Sequence, residues 1–310
     1  MKVFVAGATG AIGRALVPKL VAAGHGVTGM TRREERAAKL REAGAAAVVC
    51  DVYDKDALRE AVGAAAPEVV VHALTALPQK FNPRSDYLAE TNRIRREGTR
   101  NLVAAAQAAG ARRIVAESVA FFYEPEGDWI KGEDAPLFRD PVGRFGPALE
   151  ALTELEGQVR GAEGIKGVVL RFGWFYGAGT YYAPGGSLAE ETMKRRNPIV
   201  GGGSGFFSFV HIEDAAEAIV AALERGIPGA YNIVDDEPAP SRDWLPVYAE
   251  ALGAKPPRRL PAWLVRLVAG KALTEVALQM RGASNAKAKR ELGWQPSHPS
   301  WRQGFRETIA

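Results

Sequence analysis

Three glycines near the start of the chain have the spacing that most directly indicates chemistry. Gly7, Gly10 and Gly13 follow an apolar run at residues 2–6 and open a helical pattern. Such glycines permit a tight turn, close approach of the backbone to a pyrophosphate, and close packing of the helix on the strand. The helix N-terminus adds free N–H groups and partial positive charge. Strand, glycine turn and helix together predict a dinucleotide site. Its predicted contacts are Gly7, Thr9, Gly10, Ala11, Ile12 and Gly13.

The end of the second predicted strand favours NADP(H) over NAD(H). NAD-binding chains carry an acidic residue about 20 positions beyond the glycines, which binds the ribose hydroxyls. Here Arg32 and Arg33 end that strand, and guanidinium groups suit the 2′-phosphate of NADP. The alternative is that both arginines only open a solvent-exposed helix beside Glu34 and Glu35.

The ends of the later strands complete the predicted cofactor site. Asp51 is placed to bind the adenine amino group while Val52 packs on the ring. The alternative for Asp51 is a helix N-cap, a role that suits Asp54 better. Ligands bind at the carboxyl ends of the strands in such sheets. The further predicted contacts are Ala73, Leu74, Thr75, Ser118, Phe172 and Gly173.

Strands and helices alternate along the first half of the chain. Apolar runs predict strands at 2–6, 26–31, 46–50, 68–73, 112–118 and 166–171, and helical patterns predict helices at 12–23, 33–43, 54–65, 86–109 and about 146–162. This alternation implies parallel strands with helices on both faces. The sequence therefore predicts an α/β fold with a doubly wound parallel sheet of the Rossmann type.

Beyond residue 171 the pattern changes to glycine-rich loops, short strands and, from residue 241, short helices separated by prolines. We expect residues 1–173 to form the dinucleotide-binding domain, with 206–234 returning to it. Residues 174–205 and 235–310 are expected to form a small, mostly helical lobe on the substrate side.

Composition narrows the class of protein. The 310 residues are 47% hydrophobic and 25% charged, as is ordinary for a globular protein. Cys50 is the single cysteine and the four histidines lack zinc-ligand spacing, so no disulfide or metal site is predicted. No signal peptide and no apolar run of about 20 residues is present, so we expect a cytoplasmic protein without membrane partners. The net charge is +4, but the basic residues are interspersed with acidic ones along the predicted helices. This distribution does not predict nucleic-acid binding.

With these residues in view, the chain resembles the extended short-chain dehydrogenase/reductase family, of the NAD-dependent epimerase/dehydratase type. The resemblance is carried by blocks in the family's order, at residues 7–13, 51–52, 98–102, 118–123, 133–136, 170–177 and 209–216. It covers residues 1 to about 235 and fades in the C-terminal helices. The family resemblance also implies a homodimer paired through the predicted helices 86–109 and 146–162.

The chain departs from the family at the residues that carry its chemistry. The family uses a Tyr-x-x-x-Lys pair on one helix face, in which the tyrosine exchanges a proton as hydride moves. Phe145 and Leu149 stand where this pair is expected, and no tyrosine in the chain has a lysine four residues later. The family's serine or threonine falls on Val119, one place after Ser118. Arg95 occupies the position of its helical asparagine.

Two functions stay open from the sequence. The favoured one is an NADP(H)-dependent oxidoreductase or epimerase-like enzyme with a non-standard active site, in which Ser118, Tyr123 or Tyr176 transfers the proton. A tyrosine needs a nearby cation to do so at neutral pH, which Arg144 or Arg171 would supply. Each tyrosine alternatively only lines the pocket. The second function is a catalytically silent NADP(H)-binding regulator or redox sensor.

Aromatic residues predict the substrate class. Those expected to face the cleft are Phe121, Phe122, Phe172, Trp174, Phe175, Phe206, Phe207 and Phe209. They favour a small apolar or aromatic carbonyl or hydroxyl compound over a nucleotide sugar, unless they fill the core between the lobes. His211 is expected to cap a helix rather than to act as a base.

Overall fold

The computed structural model describes residues 1–78, 86, 88–138 and 145–309. The strands are β1 (Lys2–Ala6), β2 (Gly26–Thr31), β3 (Ala46–Val49), β4 (Val69–His72), β5 (Arg113–Val119), β6 (Ile130–Lys131), β7 (Lys166–Phe172), β8 (Trp174–Tyr176), β9 (Ile199–Val200), β10 (Phe206–Phe207), β11 (Phe209–His211), β12 (Gly229–Ile233), β13 (Ala239–Pro240), β14 (Arg259–Leu260) and β15 (Gly282–Ala283).

The helices cover both faces of the sheet and build the C-terminal lobe. They are α1 (Ala11–Ala22), α2 (Glu34–Glu42), α3 (Lys55–Ala65), α4 (Ala89–Arg93), α5 (Thr99–Ala108), α6 (Phe145–Arg160), α7 (Ser187–Met193), α8 (Ile212–Ala222), α9 (Ser241–Ala251), α10 (Ala262–Ala269), α11 (Lys271–Gln279), α12 (Ala286–Leu292) and α13 (Trp301–Ile309). A π-helical segment, Ile94–Gly98, joins α4 to α5.

Seven parallel strands form the central sheet, in the order β12-β7-β5-β4-β1-β2-β3. The chain first builds outward from β1 to β3 and then crosses to β4 on the other side of β1. Ligands bind at such a reversal of strand order, beyond the carboxyl ends of the strands. The doubly wound Rossmann-type fold predicted from the sequence is confirmed.

The strands are apolar because both faces of the sheet are covered. Leu16 of α1 and Ile219 of α8 belong to the core on one face. Leu58 of α3, Leu102 of α5 and Leu155 of α6 belong to the core on the other. Each fully buried side chain of this kind contributes roughly 1.5–3 kcal/mol, so packing holds the carboxyl ends of the strands in place.

An aromatic cluster forms the core of the C-terminal lobe. Tyr182, Phe209, Trp244 and Phe305 are all buried there. The indole N–H of Trp301 donates to the Glu237 carbonyl at 2.7 Å and fixes α13. The lobe is mostly helical, as predicted, and the domain boundaries stay predictions.

The predicted elements of the first half are close to the observed ones, with one structural exception. The helix predicted at 86–109 begins at Ala89 and contains the π-helical segment, which the sequence did not indicate; residue 87 lies outside the described residues. Farther along the chain, Phe206–Phe207 and Phe209–His211 form two short strands that pair with β13 and β8. Among the described helices, none has the length and apolar character needed to cross a membrane.

Candidate functional site

The glycine turn lies directly against the end of β4. Gly7 has a φ of +94°, which favours glycine, and a Cβ there would overlap the Ala73 carbonyl. A Cβ on Gly13 would overlap the backbone of Gly7 and Ala8. Both positions therefore require glycine to bring strand, turn and helix together.

The first turn of α1 is free to receive an anion. Gly10 is its exposed N-cap, makes no side-chain cap, and is followed by no acidic residue in the first turn. The first N–H groups of a helix have no partner within the helix, and here they suit a pyrophosphate. Ile12 is buried in the core, so only its backbone can serve; Thr9 and Ala11 are half-buried.

Arg32 and Arg33 follow β2 at the surface. With Glu34, Glu35, Arg36 and Lys39 they line an open depression of about 720 Å³. Glu34 is paired with Arg41 at 2.7 Å, whereas Arg32 and Arg33 have no ion-pair partner among the described residues. The depression is basic overall and can receive a phosphate.

Two carboxylates in the loop after β3 were alternative candidates for the N-cap of the next helix. Asp54 caps α3 by accepting from the Ala57 N–H at 3.1 Å, as expected. Asp51 accepts instead from the Tyr53 N–H at 3.0 Å. Asn101 donates to the Val52 carbonyl at 2.9 Å and ties the loop to α5.

The end of β4 is held by a neutral histidine. His72 contacts the Thr99 hydroxyl at 2.9 Å through Nε2 and accepts from the Leu74 N–H at 3.3 Å through Nδ1. Burial, and then the charge of Arg95, lower the pKa of His72 to about 4. Ala73 beyond it is buried, Leu74 is half-buried, and Thr75 is exposed at the sheet edge.

Ser118 and Tyr123 belong to one buried hydrogen-bond network. The Ser118 hydroxyl donates to Glu156 Oε1 at 2.8 Å. Arg171 binds both oxygens of Glu156, at 2.8 Å from Nε and 2.7 Å from Nη2. Arg171 also donates to the Tyr123 hydroxyl at 3.0 Å, and this hydroxyl donates to Asn232 at 2.6 Å. The network connects α6, through Glu156, to β5, β7 and β12.

This network gives both hydroxyl groups hydrogen-bond partners, so their presence is explained without a catalytic role. Burial raises the pKa of Tyr123, although Arg171 opposes the effect, so the phenol is held neutral. The structure gives no geometric support to the catalytic roles predicted for Ser118 and Tyr123, or to the Ser118 cofactor contact; these stay predictions. Arg171 does lie beside a tyrosine, as suggested, but Glu156 holds its charge. Arg144 lies outside the described residues.

Tyr176 is fully buried in the C-terminal lobe rather than at the cleft. Its ring packs against Phe209 and Phe305, and a Cβ on Gly304 would overlap its hydroxyl. In the described part of the chain that hydroxyl has no hydrogen-bond partner, and burial raises the pKa of Tyr176. This environment does not suit the catalytic role predicted for it.

Phe172 and Gly173 likewise have structural explanations. Phe172 is buried in the sheet core, and a Cβ on Gly173 would overlap the Ser208 carbonyl. Their predicted cofactor contacts stay predictions.

The buried face of α6 is apolar where a proton donor would be expected. From residue 145 to 155 its buried positions are Phe145, Ala148, Leu149, Ala151, Leu152 and Leu155. The first ionisable buried residue is Glu156, which is bound by Ser118 and Arg171. A shift of the expected Tyr-x-x-x-Lys pair by a few residues therefore would not restore a proton donor.

Two charged residues that the sequence did not indicate as functional are Glu117, near the carboxyl end of β5, and Arg95, in the π-helical segment. Burial raises the pKa of Glu117 to about 7, opposed by Arg95. Burial lowers the pKa of Arg95 to about 10, opposed by Glu117. The presence of a glutamate within the largely apolar run of β5 was the feature of the sequence that could have indicated a functional residue. Its significance depends on Arg95, which is 22 positions earlier in the chain.

Half-buried aromatic rings cluster beyond the end of β5 and on β8 and β10. We call Phe121, Phe122, Trp174 and Phe207 the aromatic wall. Phe121 stacks on Trp174 with ring centroids 4.4 Å apart, and Trp174 lies 5.8 Å from Phe207. Of the other predicted rings, Phe172 and Phe209 fill core. The wall offers flat apolar surface to an aromatic ligand.

His211 has the structural role expected for it. It caps α8 by accepting from the Glu213 N–H at 3.3 Å and stacks on His298 at 3.8 Å. Asp214 nearby accepts from the backbone N–H groups of Ser297 and His298, both at 2.9 Å. These bonds fix α8 to the C-terminal segment.

Comparisons with known proteins show the family and the fold of this chain. The model of the family described as "NAD dependent epimerase/dehydratase family" matches residues 3–234. A 3-diazoavenalumate denitrifying reductase from Streptomyces sp is 46% identical, over 98% of this chain and 99% of its own length.

Two solved structures share the fold. Human epimerase family protein SDR39U1 with NADPH has a TM-score of 0.75 at 24% identity, covering 100% of this chain and 99% of its own. UDP-glucose 4-epimerase of Thermus thermophilus with NAD has a TM-score of 0.73 at 25% identity, covering 100% and 98%.

Proposed function

Because the chain belongs to the NAD dependent epimerase/dehydratase family and is an NAD(P)-dependent oxidoreductase, we propose that it is an NADPH-dependent reductase that removes nitrogen from an aromatic diazo compound. The relative at 46% identity is named for denitrifying reduction of a diazo compound. That relative aligns along nearly the whole chain, including the C-terminal lobe that the family model leaves out.

The apolar buried face of α6 carries the proposal. Reduction of a carbonyl group creates an alkoxide, and a positioned acid must protonate it. The buried positions of α6 from Phe145 to Leu155 offer no such acid. A diazonium group needs none, because its reduction does not produce an anion.

The bond changes balance without a proton donor. The nicotinamide, when bound, supplies a hydride, which is one hydrogen with two electrons. At the substrate a C–H bond forms, the C–N bond breaks, and dinitrogen leaves with the electron pair of that bond. The arene is reduced and the dinucleotide is oxidised.

The residues of the chain have separate tasks in this reaction. The glycine turn and the start of α1 hold the pyrophosphate, and Arg32 and Arg33 hold the 2′-phosphate. The aromatic wall positions the arene. Together with Phe145, whose ring lies 5.9 Å from that of Phe122, the wall excludes water, which would otherwise compete with hydride for the reactive carbon.

Isotope labelling tests the proposal. The protein is incubated with 3-diazo-4-hydroxybenzoate and NADPH that carries deuterium at the transferred position. We expect one dinitrogen per NADPH oxidised and deuterium on the ring carbon that bore nitrogen. The matched incubation with unlabelled NADPH in D₂O should leave that carbon without deuterium, and an incubation without protein measures spontaneous loss of nitrogen.

Two results would reject the proposal. One is deuterium that comes from solvent rather than from the cofactor. The other is no NADPH oxidation with the diazo compound but turnover of aromatic ketones that Glu117→Gln abolishes, which would assign carbonyl reduction with Glu117 as the acid.

A further inference from the structure

We propose that Arg95 and Glu117 form a charge-recognition subsite for the substrate, in which Arg95 binds an ionised oxygen on the arene and Glu117 faces its cationic nitrogen. This inference rests on the proposed function and names the substrate class more closely: an aromatic diazonium that carries a phenolate or a carboxylate.

Arg95 is a buried cation whose hydrogen-bonding capacity no described residue uses. Its side chain is only 8% exposed, and it makes no hydrogen bond or ion pair with any residue that the structure describes. A buried guanidinium normally has partners, because removing a charge from water is costly. Arg113 and Arg171, two other deeply buried arginines of the sheet, each donate several hydrogen bonds. Arg95 is therefore available to a ligand.

The position of Arg95 places this cation where a substrate is expected. Its charge lowers the pKa of His72 at the end of β4 and opposes the raised pKa of Glu117 near the end of β5. Geometry gives the same position: Thr91 and Thr99, four residues before and after Arg95, bond to the Ala76 N–H at 3.1 Å and to His72 at 2.9 Å. The helical turn that carries Arg95 therefore lies against the carboxyl end of β4, the edge where ligands bind. It is carried by the π-helical segment, an irregularity that is frequent at functional sites.

Glu117 supplies the opposite charge. Successive side chains of a strand point to opposite faces, so Glu117 points away from the network that holds Ser118. It shares its face with Val119, which stands where the family's serine or threonine belongs. Glu117 has no hydrogen bond among the described residues and no salt bridge to Arg95, so their charged atoms are more than 4.0 Å apart.

Two separated charges of opposite sign, neither of them paired within the described chain, suit a substrate that carries both signs. A diazonium with an ionised oxygen is such a compound. Phe121 and Phe122 of the aromatic wall follow β5 within five residues of Glu117. The arene is therefore expected to lie between the wall and the charge pair.

Binding of unreactive probes tests the subsite independently of turnover. Affinities are measured by calorimetry at pH 8 with saturating NADP⁺. The pairs are benzoate with benzamide, and 4-nitrophenolate with 4-nitroanisole. We expect the anion of at least one pair to bind at least tenfold more tightly, which is about 1.4 kcal/mol; the pair that shows it identifies the oxygen.

Variants assign that preference to Arg95. Arg95→Gln should abolish it, and Arg95→Lys, which keeps the charge, should retain most of it. Arg100→Gln is the matched control, because Arg100 is exposed on the same helical stretch. Equal binding of both members of each pair by the wild-type protein, or an unchanged preference in Arg95→Gln, would overturn the assignment.

A stable aromatic cation tests Glu117. Phenyltrimethylammonium should bind at least tenfold less tightly to Glu117→Gln than to the wild-type protein, while tert-butylbenzene is unaffected. Equal loss for both probes would indicate a packing defect and would reject the role of Glu117. None of these probes contains a diazo group, so failure of the subsite can be separated from failure of the proposed reaction.

Discussion

Replacing Glu156 by glutamine tests whether the Ser118 network is structural. Glu156→Gln keeps the shape of the side chain but removes the charge that Arg171 binds at 2.7 and 2.8 Å. The two side chains are 2% and 6% exposed, so little solvent is available to replace the lost charge. The guanidinium would then be a buried cation without a counter-ion.

The expected loss of stability follows from this burial. Breaking a buried ion pair by removing one partner costs about 3–5 kcal/mol. The remaining amide oxygen still accepts one hydrogen bond, so we expect the lower value, about 3 kcal/mol. For a chain of this length that lowers the Tm by roughly 5 °C. Ser118→Ala removes one bond to a charged acceptor and should cost about 1.5 kcal/mol.

Thermal unfolding and turnover are measured on the same samples. Glu154→Gln is the matched control, because Glu154 pairs at the surface of the same helix with Arg96 at 2.9 Å, and such pairs contribute at most about 1 kcal/mol. The double variant Ser118→Ala/Glu156→Gln should lose less than the sum of the two single losses, because both act through one carboxylate. Loss of turnover in Ser118→Ala with an unchanged Tm would refute the structural account and restore Ser118 as a catalytic residue.

Three further predictions concern the cofactor, pH and assembly. Arg32→Asp should weaken the binding of NADPH at least about tenfold and the binding of NADH much less, as measured by titration. Equal losses of affinity would reject the 2′-phosphate role of Arg32. The folded-state pKa of His72 is depressed from 6.5 to about 4, so above pH 6.5 its protonation does not reduce the free energy of unfolding. As the pH falls toward 4, the unfolded state takes up a proton that the folded state does not, and the free energy of unfolding decreases by roughly 3 kcal/mol. Urea unfolding should show this loss in the wild-type protein and not in His72→Gln; parallel curves would contradict it. We also propose a homodimer paired through α5 and α6, so light scattering should give twice 33.2 kDa, and a monomer would reject it.

The sheet and the cofactor turn were predictable because their signals are local. A run such as Val69–His72 is apolar because both faces of the strand are buried, and the glycines of the turn are required by contacts with neighbouring backbone. The π-helical segment was not predictable, since it lies in a helix that packs on the distant α6.

The catalytic predictions lacked this kind of support. Position at the carboxyl end of β5 suggested that Ser118 faces a ligand, but the strand directs adjacent side chains to opposite faces. Ser118 instead meets Glu156, 38 residues later, inside the protein. The same alternation makes its neighbour Glu117 the better candidate for contact with a ligand. Only the fold shows that Arg95 lies close enough to affect the pKa of Glu117.

The electrostatics of the site favour a reaction in which charge disappears. Hydride addition to a ketone would create an oxyanion that must be protonated, and the buried positions of α6 from Phe145 to Leu155 supply no donor. Hydride addition to a diazonium joins a cation to a hydride and releases neutral dinitrogen. Attraction between opposite charges is stronger in a medium of low dielectric constant. The apolar positions from Phe145 to Leu155 therefore leave Glu117, whose pKa burial raises to about 7, as the group that a carbonyl reduction would need, and the proposed diazonium reduction needs no such group.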